Sequence, residues 1–418
     1  MRLLSALACL AFAAGALESQ TGTPVPELAG LDRDVARLMN DAHIPGGAVA
    51  IVKDGRLVFA RGYGVADLGT GEAFRPDSLC RVGSVSKTIT ALAILRLVET
   101  GRLNLNDRVF GDILTQLTPP PGSAPDARLN DITVRHLLHH TGGHGRDTGV
   151  DPLSTWFAIQ AADVLRLPIP PGYPAMVRYA MGLPLDFAPG EKYSYSNYGF
   201  TVLARVVERV TGQVYEDFVR NEVLAPMGIR DMAVGKTLPE GRRPGEVRYY
   251  DYPRTLLAFS VLPNVRRLLP RPYANLELDA GDGSGRWIAS AVDLARMAAR
   301  VEGTRAPAFF APETLKLMFE KPNPFTSSDA SGGSRYGLGT GVIPNGDVFA
   351  WSHAGYYPGS IAGYQSFGTG YIFAFVFNAT APDVTAFLND MYLVLDTLGN
   401  NQRSWPAHDL FPDYFPED

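Results

Sequence analysis

From Ser84 to Thr100, ahead of Gly101, the chain runs through Ile89, Ala91, Leu92, Ile94, Leu95, Leu97 and Val98, and almost no polar face is left. A helix that is apolar all round must be buried, so this segment marks the middle of the molecule. It needs packing partners on every side, and both chain ends offer them. Gly47 to Lys53 and Arg56 to Tyr63 are apolar strand-like runs joined by Asp54-Gly55, a pair suited to a tight hairpin turn. Val348 to Ser352, Ile361 to Phe367 and Tyr371 to Phe377 are three more strand-like runs. Leu28, Leu31, Val35, Leu38 and Ala42 recur at helical spacing, as do Val384, Phe387, Leu388, Met391, Leu395 and Leu398. The pattern predicts an α+β fold, with one antiparallel sheet built from both chain ends and flanked by helices.

Between the ends the texture changes. Pro168, Pro170, Pro171, Gly172, Pro174, Pro184, Pro189 and Gly190 break the chain into short helical pieces such as Leu153 to Leu165. The clearest helix there is Phe200 to Thr211, stopped by Gly212. Residues from about 110 to 300 are therefore expected to form a helical lobe inserted into a catalytic domain spanning 24–400, with 401–418 as a C-terminal tail. The length of 418 residues would allow two or three domains at roughly 150 residues each. A sheet shared by both chain ends favours one unit instead.

Thirty-eight basic residues against 43 acidic ones give a net charge of −5, which lacks the basic footprint of a nucleic-acid partner. Arg2, the apolar run Leu3 to Ala13 and the small residues Ala14-Gly15-Ala16 predict a signal peptide over residues 1–16 and an exported protein, periplasmic or secreted. No later segment offers the roughly 20 apolar residues of a membrane span, so no stable membrane anchor is expected after leader cleavage. With Cys9 removed, Cys80 stands alone, and no internal disulfide is expected.

The buried helix also carries chemistry. Ser84-Val85-Ser86-Lys87 is the one S-x-x-K in a chain with only six lysines. Residues i and i+3 share a helix face, so the amine reaches the hydroxyl. A serine is a weak nucleophile until a base takes its proton, and burial of a lysine favours the neutral form that can do so. Tyr195-Ser196-Asn197 precedes the lobe's clearest helix; its phenol suits a proton shuttle, and its amide can hold a substrate carbonyl or the lysine. Tyr273-Ala274-Asn275 has the same form but reads as an aromatic beside a turn. At the end of the strand Val348 to Ser352, His353-Ala354-Gly355 adds a glycine that allows close backbone approach, and the Tyr356 amide can pair with that of Ser84 as an oxyanion hole. His140-Thr141-Gly142 mimics that pattern from a loop.

In this order the three elements resemble the serine β-lactamase and penicillin-binding superfamily, especially its class C-like branch of β-lactamases, D-alanyl-D-alanine carboxypeptidases, D-aminopeptidases and related esterases. The resemblance rests on the stretches 81–88, 136–143 and 189–199. It implies that Ser84 is the acylated nucleophile, that Lys87 and Tyr195 share proton transfer, and that Asn197, His353, Gly355 and Tyr356 bind the substrate. His353 stands where β-lactamases usually carry the lysine of K-T-G, which is more like the peptidase and esterase branches. The function expected is an exported serine hydrolase cleaving an amide or ester, whether β-lactam, D-amino-acid peptide or small ester. Its substrate would be a small molecule or peptide, with no cofactor. The alternatives are a carboxylesterase of this type and a penicillin-binding-like sensor or scaffold that acylates without turnover.

Other chemistries fit poorly. His136 and His140 have the spacing of a zinc pair, but no glutamate follows His136 as H-E-x-x-H requires, and no metal is expected. Gly235-Lys236-Thr237 lacks the first glycine of a phosphate loop, since position 230 is Arg230. No serine lies in G-x-S-x-G.

Overall fold

The structure is a computed structural model that describes residues 19–260, 262, 265, 267–274, 281–321, 334–346 and 348–416. The leader expected over residues 1–16 lies outside the described residues. The flanking helix α1 spans Ala29–Asp41, and the hairpin follows as β1 (Gly46–Lys53) and β2 (Arg56–Asp67). A single 3-10 turn, Gly83–Val85, leads into the buried helix α2 (Ser86–Glu99). In the lobe, α3 (Asn197–Thr211) starts three residues earlier than the apolar pattern suggested, because the Ser196 side chain caps it by accepting from the Gly199 amide. The short helix α4 (Asp282–Gly285) and then α5 (Ala291–Glu302) bring the chain back to the sheet. Strands β3 (Gly341–Asn345), β4 (Val348–Tyr357), β5 (Ser360–Ser366) and β6 (Tyr371–Phe377) precede the closing helix α6 (Val384–Asn401).

Among the described residues the main sheet is antiparallel, with β2, β1, β6, β5, β4 and β3 in that order and short strands at both edges. The expected α+β architecture is the one observed. Both faces of its centre are covered, so the central strands are apolar throughout instead of alternating with polar residues. In β6, Ile372, Ala374 and Val376 join the core around α2, whereas Tyr371, Phe373, Phe375 and Phe377 meet α1 and α6 on the other face. Burying such aromatics contributes about 1.5–3 kcal/mol apiece, so the sheet's two faces are committed to different layers.

Two assignments change. Residues 291–302, placed at the end of the lobe by sequence, form α5 and pack against β1, β5 and β6. An amphipathic pattern shows that a helix is buried but not against what. The chain end, expected as a tail, is folded onto the body. Leu410 donates to the Leu57 carbonyl at 2.9 Å, Asp409 accepts from the Leu57 amide at 3.0 Å, and Phe411 is fully buried under the Arg296 and Arg305 guanidiniums. Phe411→Ala is expected to cost about 3–5 kcal/mol of stability through the cavity it leaves, read as a lowered thermal midpoint.

Candidate active site

The site forms where the N-terminal turn of α2 meets β4 and the start of α3. Ser84 lies in the 3-10 turn, half-buried, and Lys87 lies in the first turn of α2, fully buried. The Lys87 Nζ is 3.2 Å from Ser84 Oγ, 2.7 Å from Asn197 Oδ1 and 2.6 Å from the Ser284 carbonyl oxygen in α4. Burial holds the Lys87 amine well below the usual lysine range, against the nearby Asp151 carboxylate and with help from Arg146 and Arg286. A neutral amine has two hydrogens and one lone pair. The two carbonyl-type oxygens can only accept, so they take the hydrogens and leave the lone pair for the Ser84 hydroxyl. This geometry makes Lys87 an acceptor for the serine proton.

Tyr195 completes the group. Its phenol is close enough to the Ser84 hydroxyl to feel it, and its ring lies 4.7 Å from Lys87 Nζ. Burial pushes the phenol above its ordinary value, so it rests protonated and is a donor. Asn197 is engaged on both sides: Oδ1 accepts from Lys87, and Nδ2 donates to Asp151 Oδ1 at 3.1 Å. Of the two roles open to this amide, holding the lysine is the one seen.

His353 and Gly355 are not at the end of a strand. β4 continues through Tyr357, and the turn comes at Pro358-Gly359. Along this stretch His353, Gly355 and Tyr357 are buried on the face turned to the serine, while the Tyr356 side chain is 55% exposed. The backbones of Gly83-Ser84 and Gly355-Tyr356 lie against each other so closely that a Cβ on Gly355 would strike the Val82 carbonyl and the Ser84 amide. Gly83, at φ +52°, faces the Tyr356 amide at the same approach. The two amides of the expected oxyanion hole are thus brought together by two residues without side chains. Gly355→Ala is expected to force them apart and lower kcat/KM by roughly 10- to 100-fold, as displacements near 1 Å do elsewhere. Unchanged steady-state kinetics would separate this contact from turnover.

His353 is held as a neutral ring. Its Nδ1 lies 2.7 Å from the Ala354 carbonyl, which can only accept, so Nδ1 carries the hydrogen. Its Nε2, 2.9 Å from the Tyr336 hydroxyl, is then the acceptor. Burial and the nearby Lys87 push its pKa down to about 3. A cation is therefore missing from the position where the related motif has lysine.

Three contributors carried no recognisable signal, and a fourth, His140, carried one that pointed elsewhere. Tyr336 sits in a short edge strand and closes against His140 and Tyr195, with ring centroids 4.5 Å and 6.4 Å away. Asp151 and the Ser284 carbonyl reach the site only through tertiary packing. His140, set aside as a mimic, clamps the Tyr195 segment: its Nδ1 accepts from the Ser196 amide at 3.0 Å and its carbonyl accepts from the Ser194 amide at 2.9 Å. It does so from a left-handed backbone, φ 59°, that a non-glycine residue adopts only when its surroundings enforce it. It lies beyond the helix Val134–Leu138, so it does not share that helix with His136 as a zinc pair would. Among the described residues no group of three or more His, Cys, Asp or Glu is arranged to hold a metal ion.

Esterase EstB of Burkholderia gladioli is 35% identical over 287 residues, covering 64% of this chain and 68% of the esterase. Protein flp of Staphylococcus aureus is 30% identical over 197 residues, 47% of this chain, and that match spans only 36% of its own length. Among solved structures, the octameric penicillin-binding protein homologue from Pyrococcus abyssi superposes with a TM-score of 0.67 at 23% identity, over 89% of this chain and 77% of its own. The Beta-lactamase family matches residues 31–397, a span that holds the Ser84 turn, the Tyr195 segment and β4, and the chain belongs to that family.

Proposed function

We propose that the protein is an exported serine hydrolase that cleaves esters, and amides of the same shape, through an acyl-enzyme on Ser84. The observation that carries this reading is the fully buried Lys87 amine 3.2 Å from the Ser84 hydroxyl, with two oxygens that can only accept as its other partners. In the acylation step Ser84 Oγ bonds to the substrate carbonyl carbon while its proton passes to Lys87. The oxyanion rests on the Ser84 and Tyr356 amides. As the tetrahedral species collapses, the carbon–oxygen or carbon–nitrogen bond to the leaving group breaks, and Tyr195 gives that group a proton and regains one from Lys87. Water then attacks the acyl carbon with the same groups in reverse, and the acid leaves. Esters are placed first because the esterase relative shares 35% identity across 287 residues.

The test is a panel of p-nitrophenyl butyrate, a D-alanyl-D-alanine peptide and a chromogenic cephalosporin, with the acylated intermediate trapped by acid quench and located by peptide mass spectrometry. Turnover of the ester with the acyl mass on the peptide containing Ser84 is expected. Turnover with no adduct on that peptide sinks the acyl-enzyme. An adduct that forms and never decays would instead mark a sensor. Export is supported by the apolar N-terminal run alone. N-terminal sequencing of protein from the periplasm or medium should begin near residue 17. Among the described residues no helix is long and apolar enough to cross a membrane.

A further inference from the structure

Arg286 follows α4, two residues after Ser284, whose carbonyl holds Lys87. Its residue is 1% exposed, and its Nε and Nη1 are buried with no hydrogen-bond partner among the described residues. The other two fully buried arginines each have hydrogen-bond partners, although the Arg81 Nε has none among the described residues. Arg81 donates to the carbonyls of Pro272, Lys236 and Thr237, and Arg296 to that of Met227. Asp282, which feels the Arg286 charge, is hydrogen-bonded elsewhere: its Oδ2 to Arg205 and its Oδ1 to the Gly283 amide. A guanidinium cannot shed its proton to escape burial, so an unpaired one is a persistent cost.

A second orphan lies beside it. The Tyr357 ring is 5.4 Å from the Arg286 guanidinium carbon, and its hydroxyl, also buried and without a hydrogen-bond partner among the described residues, rests against Gly285. Tyr357 shares the inward face of β4 with Gly355 and His353. The catalytic face of that strand therefore has two unlike ends. At one, Tyr336 and neutral His353 adjoin Tyr195, the donor to the leaving group. At the other, past the oxyanion position, are a cation and a hydroxyl without partners.

Building on the acyl-enzyme reading, we infer that Arg286 and the Tyr357 hydroxyl form an anion subsite for a carboxylate on the acyl half of the substrate. The substrate class is a half-ester or half-amide of a short dicarboxylic acid, or an acyl group with an equivalent carboxylate. The charge that binds it comes from the residue just after α4 and not from the K-T-G position, which explains how β4 can carry a neutral histidine there. A carboxylate accepts from Arg in a planar, charge-assisted pair and also from a phenol, so it satisfies both orphans at once.

The experiment is calorimetric titration of the Ser84→Ala protein, in which turnover does not interfere, with monobenzyl glutarate and with its methyl ester, benzyl methyl glutarate. The acid is expected to bind at least 10-fold more tightly than the ester. That ratio should collapse to near one in Ser84→Ala/Arg286→Met, persist in part with Arg286→Lys, and fall 3- to 5-fold with Tyr357→Phe. The phenylalanine change keeps the ring, so it remains informative if the Arg286→Met protein fails to fold. Equal affinities for the two probes, or a ratio that Arg286→Met and Tyr357→Phe both leave intact, overturns the subsite. The acyl-enzyme reading is judged separately, by the adduct on Ser84 in the otherwise unaltered protein. A charge preference without that adduct keeps the subsite and rejects the acyl-enzyme.

Discussion

Ser84→Ala should lose turnover of every substrate the protein accepts, on the order of 10⁵- to 10⁶-fold in kcat, as removal of a serine nucleophile does elsewhere. Covalent labelling by a fluorophosphonate should disappear with it. The change removes one half-buried hydroxyl that bonds Lys87, so the fold should survive with its thermal midpoint nearly unmoved. Loss of labelling with retained turnover would mean that Ser84 is reactive but not the nucleophile, and retained labelling would place the nucleophile elsewhere.

Lys87→Met comes next in size. The thioether fills the buried space but offers no base, and kcat/KM should fall roughly 10³- to 10⁴-fold, the upper range for a general base. Lys87→Arg should be no better, since a guanidinium keeps its proton. The pH dependence separates a base from a mere fixture. In the wild-type protein kcat/KM should rise with pH as the Lys87 amine loses its proton. Because burial has lowered that pKa, the plateau should arrive well before the ordinary lysine value near 10.4. His353, already neutral above about pH 3, contributes no limb across that range. Stability carries the same signature. Between the lowered folded value and the unfolded one, the unfolded chain binds a proton that the folded protein lacks, so wild-type stability climbs with pH there. Lys87→Met should remove that slope. A slope and an acid limb that both persist in Lys87→Met would assign the titration to another group.

Much of this was readable before any coordinates. The apolar run after Ser84 had to be a buried helix, and the Asp54-Gly55 turn had to join two strands, because local pattern and turn chemistry leave few options there. Ser84 and Lys87 stood out through spacing and through the contradiction of a lysine in apolar surroundings, whereas Tyr195, in a Y-x-N pattern that Tyr273 also fits, stood out only through the family resemblance. The remainder was hidden for identifiable reasons. The Ser284 contact is made by a backbone carbonyl, which any residue would supply. Asp151 and Tyr336 reach the site from loops and edges whose sequence says nothing about their neighbours. Arg286 looks like any other arginine until its burial and missing partners are seen. The extent of β4 was misjudged because Gly355, which suggests the end of a strand, is there to let two backbones touch.

The sheet's strand order also dictates when the protein can fold. β1 has β2 on one side from the start, but its other neighbour is β6, and Lys53 bonds the Thr369 carbonyl 316 positions further on. Until a ribosome has made Phe377, the first hairpin has an open apolar edge and α2 lacks one of its walls. Contacts so distant in the chain close slowly, and an unpaired edge invites association in the meantime. The nascent chain should therefore remain unfolded and dependent on chaperones until nearly all of it exists. Truncations ending before β6 should yield insoluble protein rather than a smaller active domain.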